Sequence, residues 1–154
     1  MAAVESVRAG DYLNLDILVV DNGRPQNSPA ALLPASVDYI ATGSNLGYAG
    51  GNNLGIRRLL QRGVDWILLL NPDARLEPTT LSGLLSAADE VRDAGFIGPR
   101  LLHGDNPERI QSDGGRIDFG RIAAPVHHHA GARAADHPAR RTEVDYVTGA
   151  CLLI

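Results

Sequence analysis

Two aspartates in this chain follow short apolar runs. Asp21 closes Leu15–Val20, and Asp73 comes just after Trp66–Leu70. A carboxylate at the end of such a run accepts hydrogen bonds from a base or ribose, or holds a hard divalent cation such as Mg2+ or Mn2+ against a diphosphate. A single Asp in a turn most often serves the turn itself. Two at matching positions after two apolar runs point to a shared ligand. Between them lies Asn45-Leu46-Gly47-Tyr48-Ala49-Gly50-Gly51-Asn52-Asn53-Leu54-Gly55, with four glycines crowded at the start of a helical pattern. Each weakens a helix by up to about 1 kcal/mol against alanine, so either close packing or contact with a ligand must offset the loss. It is neither a phosphate loop ending in Gly-Lys-Ser/Thr nor a Gly-x-Gly-x-x-Gly turn after a strand.

These residues need elements to position them. Leu15–Val20 is a β-branched run ended by Asp21-Asn22-Gly23, which reads as a core strand and its turn. Pro25, Pro29 and Pro34 allow only a loop or a single turn before Val37–Ala41 resumes a strand pattern. Ala49–Arg62 is helical, with Ile56, Leu59 and Leu60 on one face and Gly63 placed to end it. Trp66–Leu70 is a strand opened by a packed Trp66 and stopped by Asn71-Pro72-Asp73. Pro78 and the apolar spacing through Val91 mark a second helix of about four turns. Phe96–Leu102, Gly115–Phe119 and Val144–Ile154 are further strand regions, whereas 120–142 has no period and reads as an exposed loop. This order predicts an α/β sheet with right-handed crossovers, in which ligands bind at the carboxyl ends of the strands.

Taken together, the blocks Val19-Val20-Asp21-Asn22-Gly23, Asn45 to Gly55, Leu68-Leu69-Leu70-Asn71-Pro72-Asp73, Gly98-Pro99 and Asp145-Tyr146-Val147-Thr148-Gly149-Ala150 closely resemble the inverting family-2 glycosyltransferases, with rhamnosyltransferase-like members nearest. The resemblance runs in order from about Tyr12 to Ile154. It implies a GT-A fold, Rossmann-like, with a mostly parallel sheet flanked by helices. It also implies a nucleotide-diphosphate sugar donor, Mg2+ or Mn2+, and inversion during transfer of a sugar such as rhamnose to a cell-surface glycan or lipid-linked acceptor. On this resemblance Asp21 meets the base or ribose, and Asn22, Asn45, Gly47, Gly51, Asn52 and Asn71 complete the nucleotide pocket. Asp73 ends the Asn-x-Asp form of the family's metal-binding motif, with Asn71 an indirect partner, and Gly149-Ala150 lies near the acceptor. A cation at Asp73 would stabilise the negative charge released on the diphosphate, while the acceptor hydroxyl loses its proton to a carboxylate.

The chain also departs from that pattern. Arg24 stands where the family has Ser or Thr. Of the family's opening apolar strand and the helix after it, Ala2–Ala9 alone is matched here, read as the tail of that helix, and a sheet edge is expected to be unpaired. The family's catalytic Asp lies in a Glu-Asp motif beyond Ile154. Residues 1–154 are therefore expected to form a single partial domain, the donor-binding half, with little transfer activity alone. Asp113, Asp118, Glu143 and Asp145 are the nearby carboxylates that could stand in as base, and each reads as a surface or turn residue. The competing readings are a non-catalytic nucleotide-sugar-binding module and a nucleotidyltransferase. The latter calls for a glycine-rich loop with a basic residue directly after the first strand, which this sequence lacks.

Composition limits the rest. The chain has 154 residues, 44% apolar, enough for one core. A formal charge of −4 argues against nucleic acid as a partner. The single Cys151 excludes an internal disulfide, suits a reducing compartment and reads as a buried small hydrophobe. No run reaches the ~20 apolar residues of a membrane span, and no signal peptide is visible, so the expected location is cytoplasmic, with peripheral membrane association left to segments outside these residues. His127-His128-His129, with His103 and His137, reads as a solvated loop rather than a metal site, and the pairs Arg57-Arg58 and Arg140-Arg141 as exposed charges.

Overall fold

Ala2 to Val7 places small and apolar residues on one helical face, and in the computed structural model, which describes residues 1–23, 28–91, 93–120 and 124–154, helix α1 spans Ala2–Arg8 with Ala3 and Val4 buried. Strand β1 (Leu18–Asp21) follows and pairs in parallel with β2 (Asp38–Ala41), Val19 opposite Tyr39. The proline-rich connection holds the expected single turn, a 3-10 helix at Ala30–Leu32. Helix α2 (Gly47–Leu60) starts at the first glycine of its block, earlier than periodicity suggests, and Gly63 ends it with φ +75°. Strand β3 (Leu68–Leu70) and helix α3 (Thr80–Glu90) come next. Trp66 precedes β3 instead of opening it and keeps 40% of its surface exposed, so it is not the core residue its apolar run suggests.

The sheet is not the mostly parallel one expected. Strands β4 (Leu101–Leu102), β5 (Ile110–Ser112), β6 (Gly115–Asp118), β7 (Ala124–His127) and β8 (Cys151–Leu153) complete four two-stranded pairings, of which β1–β2 alone is parallel among the described residues. The reason is connectivity. A parallel pair needs a crossover of a dozen or more residues, while antiparallel neighbours need only a short link, and β4–β5 and β6–β7 are joined by short links. The last strand, β8, runs antiparallel to β3 with Leu69 opposite Leu152, and Ile97 bridges to Leu153 on its other side. The core gathers there: Leu84 and Ala88 of α3 meet Cys151 and Leu153, with Leu68, Leu70 and Ile97 packed around them. Burial pushes the Cys151 thiol up to about 11, as befits a packing residue rather than a nucleophile.

The segment 120–142 is largely exposed, as expected, but it is not a structureless loop. It contains β7 and a 3-10 turn at Ala134–Asp136, although 121–123 lie outside the described residues. Its histidines are not simply solvated. His127 Nδ1 lies 2.8 Å from the buried Ser112 hydroxyl, and His129 Nδ1 lies 2.9 Å from Asp113 Oδ2. Arg100 clamps Asp113 with two hydrogen bonds of 2.6 and 2.7 Å and donates a third to the His137 carbonyl. Burial raises the Asp113 carboxyl, but the bonds from Arg100 and His129 outweigh it and hold the group below the usual carboxylate range.

Because the folded Asp113 titrates below the ordinary value of about 3.9, the stability it contributes is intact above that pH and is lost as acid carries the pH through the lowered folded value. Denaturant unfolding of Asp113→Asn should show a chain less stable by about 2 kcal/mol near neutrality. Its stability should also fall less steeply than the parent's in acid below about pH 4. Parallel pH profiles for the two chains would show that the clamp has no such role.

Candidate functional site

Asp21 and Asn22 sit where β1 ends, and the main chain and side chains around them divide the work. Asp21 Oδ1 accepts the Gly23 amide at 3.0 Å, and Oδ2 accepts the Tyr39 hydroxyl at 2.6 Å. That bond is the first cause lifting the Tyr39 phenol above its ordinary value. Asn22 turns the other way. Its Nδ2 donates to the Gly47 carbonyl at 2.8 Å and to Asn45 Oδ1 at 3.3 Å, while its Oδ1 accepts the Leu46 amide at 2.8 Å. Arg24, the departure from the family pattern, lies outside the described residues.

That bracket explains the glycines. Gly47 has φ +72°, which a side chain rarely tolerates, and its amide donates to Asn45 Oδ1 at 2.8 Å. A Cβ at Gly51 would stand 3.0 Å from Asn22 Nδ2, and one at Gly55 would stand 3.0 Å from Val20 Cγ2, so α2 lies directly on β1. Packing therefore supplies much of the offset that the block requires. With the Leu46 and Gly47 amides bonded to Asn22 and Asn45, those of Tyr48 and Ala49 are left without a side-chain cap among the described residues, the arrangement that lets a helix start receive an anion.

Tyr48 carries the helix start across the chain. Its hydroxyl donates to the Gly149 carbonyl at 2.5 Å, and a Cβ on Gly149 would collide with the Tyr48 ring. Beside it the Asn71 amide donates to the Ala150 carbonyl at 2.9 Å. The expected donor block, the end of β3 and the Gly149-Ala150 segment are thus tied together through Tyr48 and Asn71. Asn22, Tyr48, Gly51, Asn52 and Asn71 share the wall of one cavity. Neither Asp21 nor Asp73 is among the residues that line that cavity, and no hydrogen bond joins the two among the described residues. Motif spacing does not single out Tyr48 or Tyr39. An exposed aromatic inside a glycine block is the one signal that marks Tyr48.

Asp73 is exposed, and its carboxylate has no hydrogen bond or ion pair among the described residues. No cluster of three or more His, Cys, Asp or Glu able to hold a metal occurs among those residues either. A lone free carboxylate fits a Mg2+-type cation that arrives with a diphosphate, since such ions take one or two protein carboxylates plus phosphate oxygens. Of the carboxylates weighed as stand-in bases, Asp113 is clamped, Asp145 accepts the Ile117 amide at 2.8 Å and Asp118 accepts the Gly120 amide at 3.0 Å. Arg141 pairs with Glu90 on the surface.

A family model described as glycosyl transferase family 2 matches residues 2–151. The chain belongs to glycosyl transferase family 2. A galactofuranosyltransferase of Mycobacterium tuberculosis is 31% identical over 98 residues, covering 61% of this chain and 32% of the relative. An N-acetylglucosaminyl-diphospho-decaprenol L-rhamnosyltransferase of the same organism is 31% identical over 101 residues, covering 59% and 33%. A low-salt glycan biosynthesis hexosyltransferase of Haloferax volcanii is 27% identical over 140 residues, covering 90% and 44%. The chain spans about a third of the length of the mycobacterial relatives. No solved structure matches it. Family-2 membership implies the GT-A fold, here an α/β arrangement of short sheets. No helix among the described residues is long and apolar enough to cross a membrane.

The Tyr48–Gly149 contact gives this family-2 chain a test of its own. Gly149→Ala should lower the melting temperature because Tyr48 must move. Combining it with Tyr48→Ala should recover part of the loss, a coupling of about 1 kcal/mol in a double-mutant cycle. Strictly additive losses would show that the two residues do not meet in solution.

Proposed function

We propose that this chain is the donor-binding part of a glycosyltransferase that uses a nucleotide-diphosphate sugar and a divalent cation, Mg2+ or Mn2+, and acts with inversion. Its acceptor is a cell-surface glycan or a lipid-linked saccharide. The observation that carries the reading is the free Asp73 carboxylate after β3, on a chain where Asn22, Tyr48 and Asn71 hold three matched family blocks against one cavity. In this reading Asp21 and Asn22 border the base and ribose, and the uncapped amides at the start of α2 face the diphosphate. Asn45, Gly47, Gly51 and Asn52 shape that pocket, and Gly149-Ala150 borders the acceptor. When bound, the cation neutralises charge on the leaving diphosphate. Asp73 holds it, with Asn71 beside it. The rhamnosyl and galactofuranosyl donors of the mycobacterial relatives favour a deoxyhexose or furanose sugar. The base is assigned to a segment outside residues 1–154, because three of the four nearby carboxylates are committed to structural bonds. Localisation at the cytoplasmic face of a membrane follows from the acceptor class.

Calorimetric titration with dTDP, UDP and GDP, each with and without Mn2+, tests this directly. One diphosphate should bind in a Mn2+-dependent way, and Asp73→Ala should weaken it by about tenfold or more, the scale of losses at metal sites, while leaving the circular dichroism spectrum unchanged. Equal binding by the variant, or binding indifferent to the metal, would sink the proposal. Turnover with a donor panel then separates a transferase from a binding module that performs no chemistry.

A further inference from the structure

Tyr39 reaches Asp21 from the neighbouring strand. The register sets Val19 opposite Tyr39 and Asp21 opposite Ala41, and side chains alternate along a strand, so all four share one face. Ala41 is small, which leaves the phenol room to run along the strand and donate to Asp21 Oδ2 at 2.6 Å. Helix α2 covers the opposite face, where Gly55 meets Val20 and Leu18. Ser28, in the proline-rich connection, holds its hydroxyl oxygen 2.7 Å from that of Tyr39 and accepts the Ala30 amide at 3.2 Å.

Proton counting fixes the direction of this chain of bonds. An ionised carboxylate only accepts, and a phenol has one proton to give. Tyr39 spends that proton on Asp21, so Ser28 donates to the Tyr39 oxygen and the Ala30 amide donates to Ser28. Donors in series therefore end on one carboxylate, and bonds aligned head to tail polarise one another. The bond to Asp21 lifts the Tyr39 phenol above its ordinary value, and the bond from Ser28 opposes that rise, which is the effect of a donor on a phenol oxygen. A turn role accounts for only half of Asp21, the Oδ1 that accepts the Gly23 amide. It gives no reason for the second oxygen to be held by side chains from two other segments. An ionised carboxylate offers about four acceptor sites, and these bonds use one on each oxygen. Asp21 is only half-buried, so its remaining acceptors are held in fixed directions at the carboxyl end of β1, where α/β sheets receive ligands.

We propose that Tyr39 and Ser28 are positioning residues for the nucleoside half of the donor, aiming Asp21 so that its free acceptors meet hydrogen-bond donors, the N–H of a base or the hydroxyls of a ribose. With Asp21 bordering base and ribose, the reading on which this inference rests, Tyr39 and Ser28 act through it and touch no ligand atom themselves. A pinned acceptor also discriminates, because a ligand that presents an acceptor at the same place leaves lone pairs facing each other unpaired.

Calorimetric titration of the full 154-residue chain in Mn2+ compares the tightest-binding of dTDP, UDP and GDP with inorganic diphosphate, and the ratio of the two affinities is the readout. Tyr39→Phe, which removes the hydroxyl and keeps the ring, should lower that ratio about tenfold, the effect of losing one bond to a charged group. Ser28→Ala, at an exposed position, should lower it less, and Ser28→Thr, which keeps a hydroxyl, should preserve it. Adding Ser28→Ala to Tyr39→Phe should change nothing further, because Ser28 acts through the phenol. Forms of the nucleotide lacking the base N–H or the ribose hydroxyls identify the donor that Asp21 meets, as the one whose loss abolishes the Tyr39→Phe effect. An effect that persists with both forms would overturn the inference. So would nucleotide binding by the parent with an unchanged ratio in Tyr39→Phe, even if the melting temperature falls, since that is the mark of a mere tether for the connection. A parent chain that binds none of the three nucleotides would overturn the donor reading as well.

Discussion

One side-chain amide, that of Asn22, fixes the geometry on which the candidate site depends. It stands one residue past β1 and uses both of its ends on the start of α2, donating to Gly47 and accepting from Leu46. Because a carboxamide is both donor and acceptor, an ionised aspartate, which only accepts, would not make the same pair of contacts. The bracket fixes where α2 begins, and that start sets the direction of Tyr48, whose hydroxyl reaches Gly149. A chain of three local constraints thus connects the end of β1 to a segment more than a hundred residues away in sequence. It also accounts for glycine at two turns of α2, where Asn22 and Val20 leave no room for a Cβ.

The elements around the site were legible because they are short and punctuated. The apolar runs at Ile17–Val20 and Trp66–Leu70 end in turn residues, and the structure places β1 and β3 within them to within a few residues. Gly63, Pro29 and Pro34 also behave as local rules say they should, through a left-handed helix end and a single 3-10 turn. Less could be read of the site itself. Blocks of residues identified which segments converge, but not that Asn22 holds Asn45 and Gly47 in place, nor that Tyr39 caps Asp21. Side-chain bonds between segments leave no periodicity. They become visible only once the strands are side by side.

The pairing inside 120–142 escapes sequence patterning for a different reason. Ala124–His127 contains a proline and is followed by two more histidines, a composition that suggests a loop, yet it pairs with β6. Pro125 is tolerated because β7 has a neighbour on one side only, so a missing N–H costs nothing on the open side. The energy that orders this segment is polar and long-range. Asp113 gathers Arg100 and His129, Ser112 meets His127, and Arg109 donates to the Gly131 carbonyl at 2.6 Å. Buried apolar surface contributes less, as the largely exposed β7 indicates. Hydrophobic patterning is therefore a poor guide here: it registers the exposure of the hairpin but not its pairing.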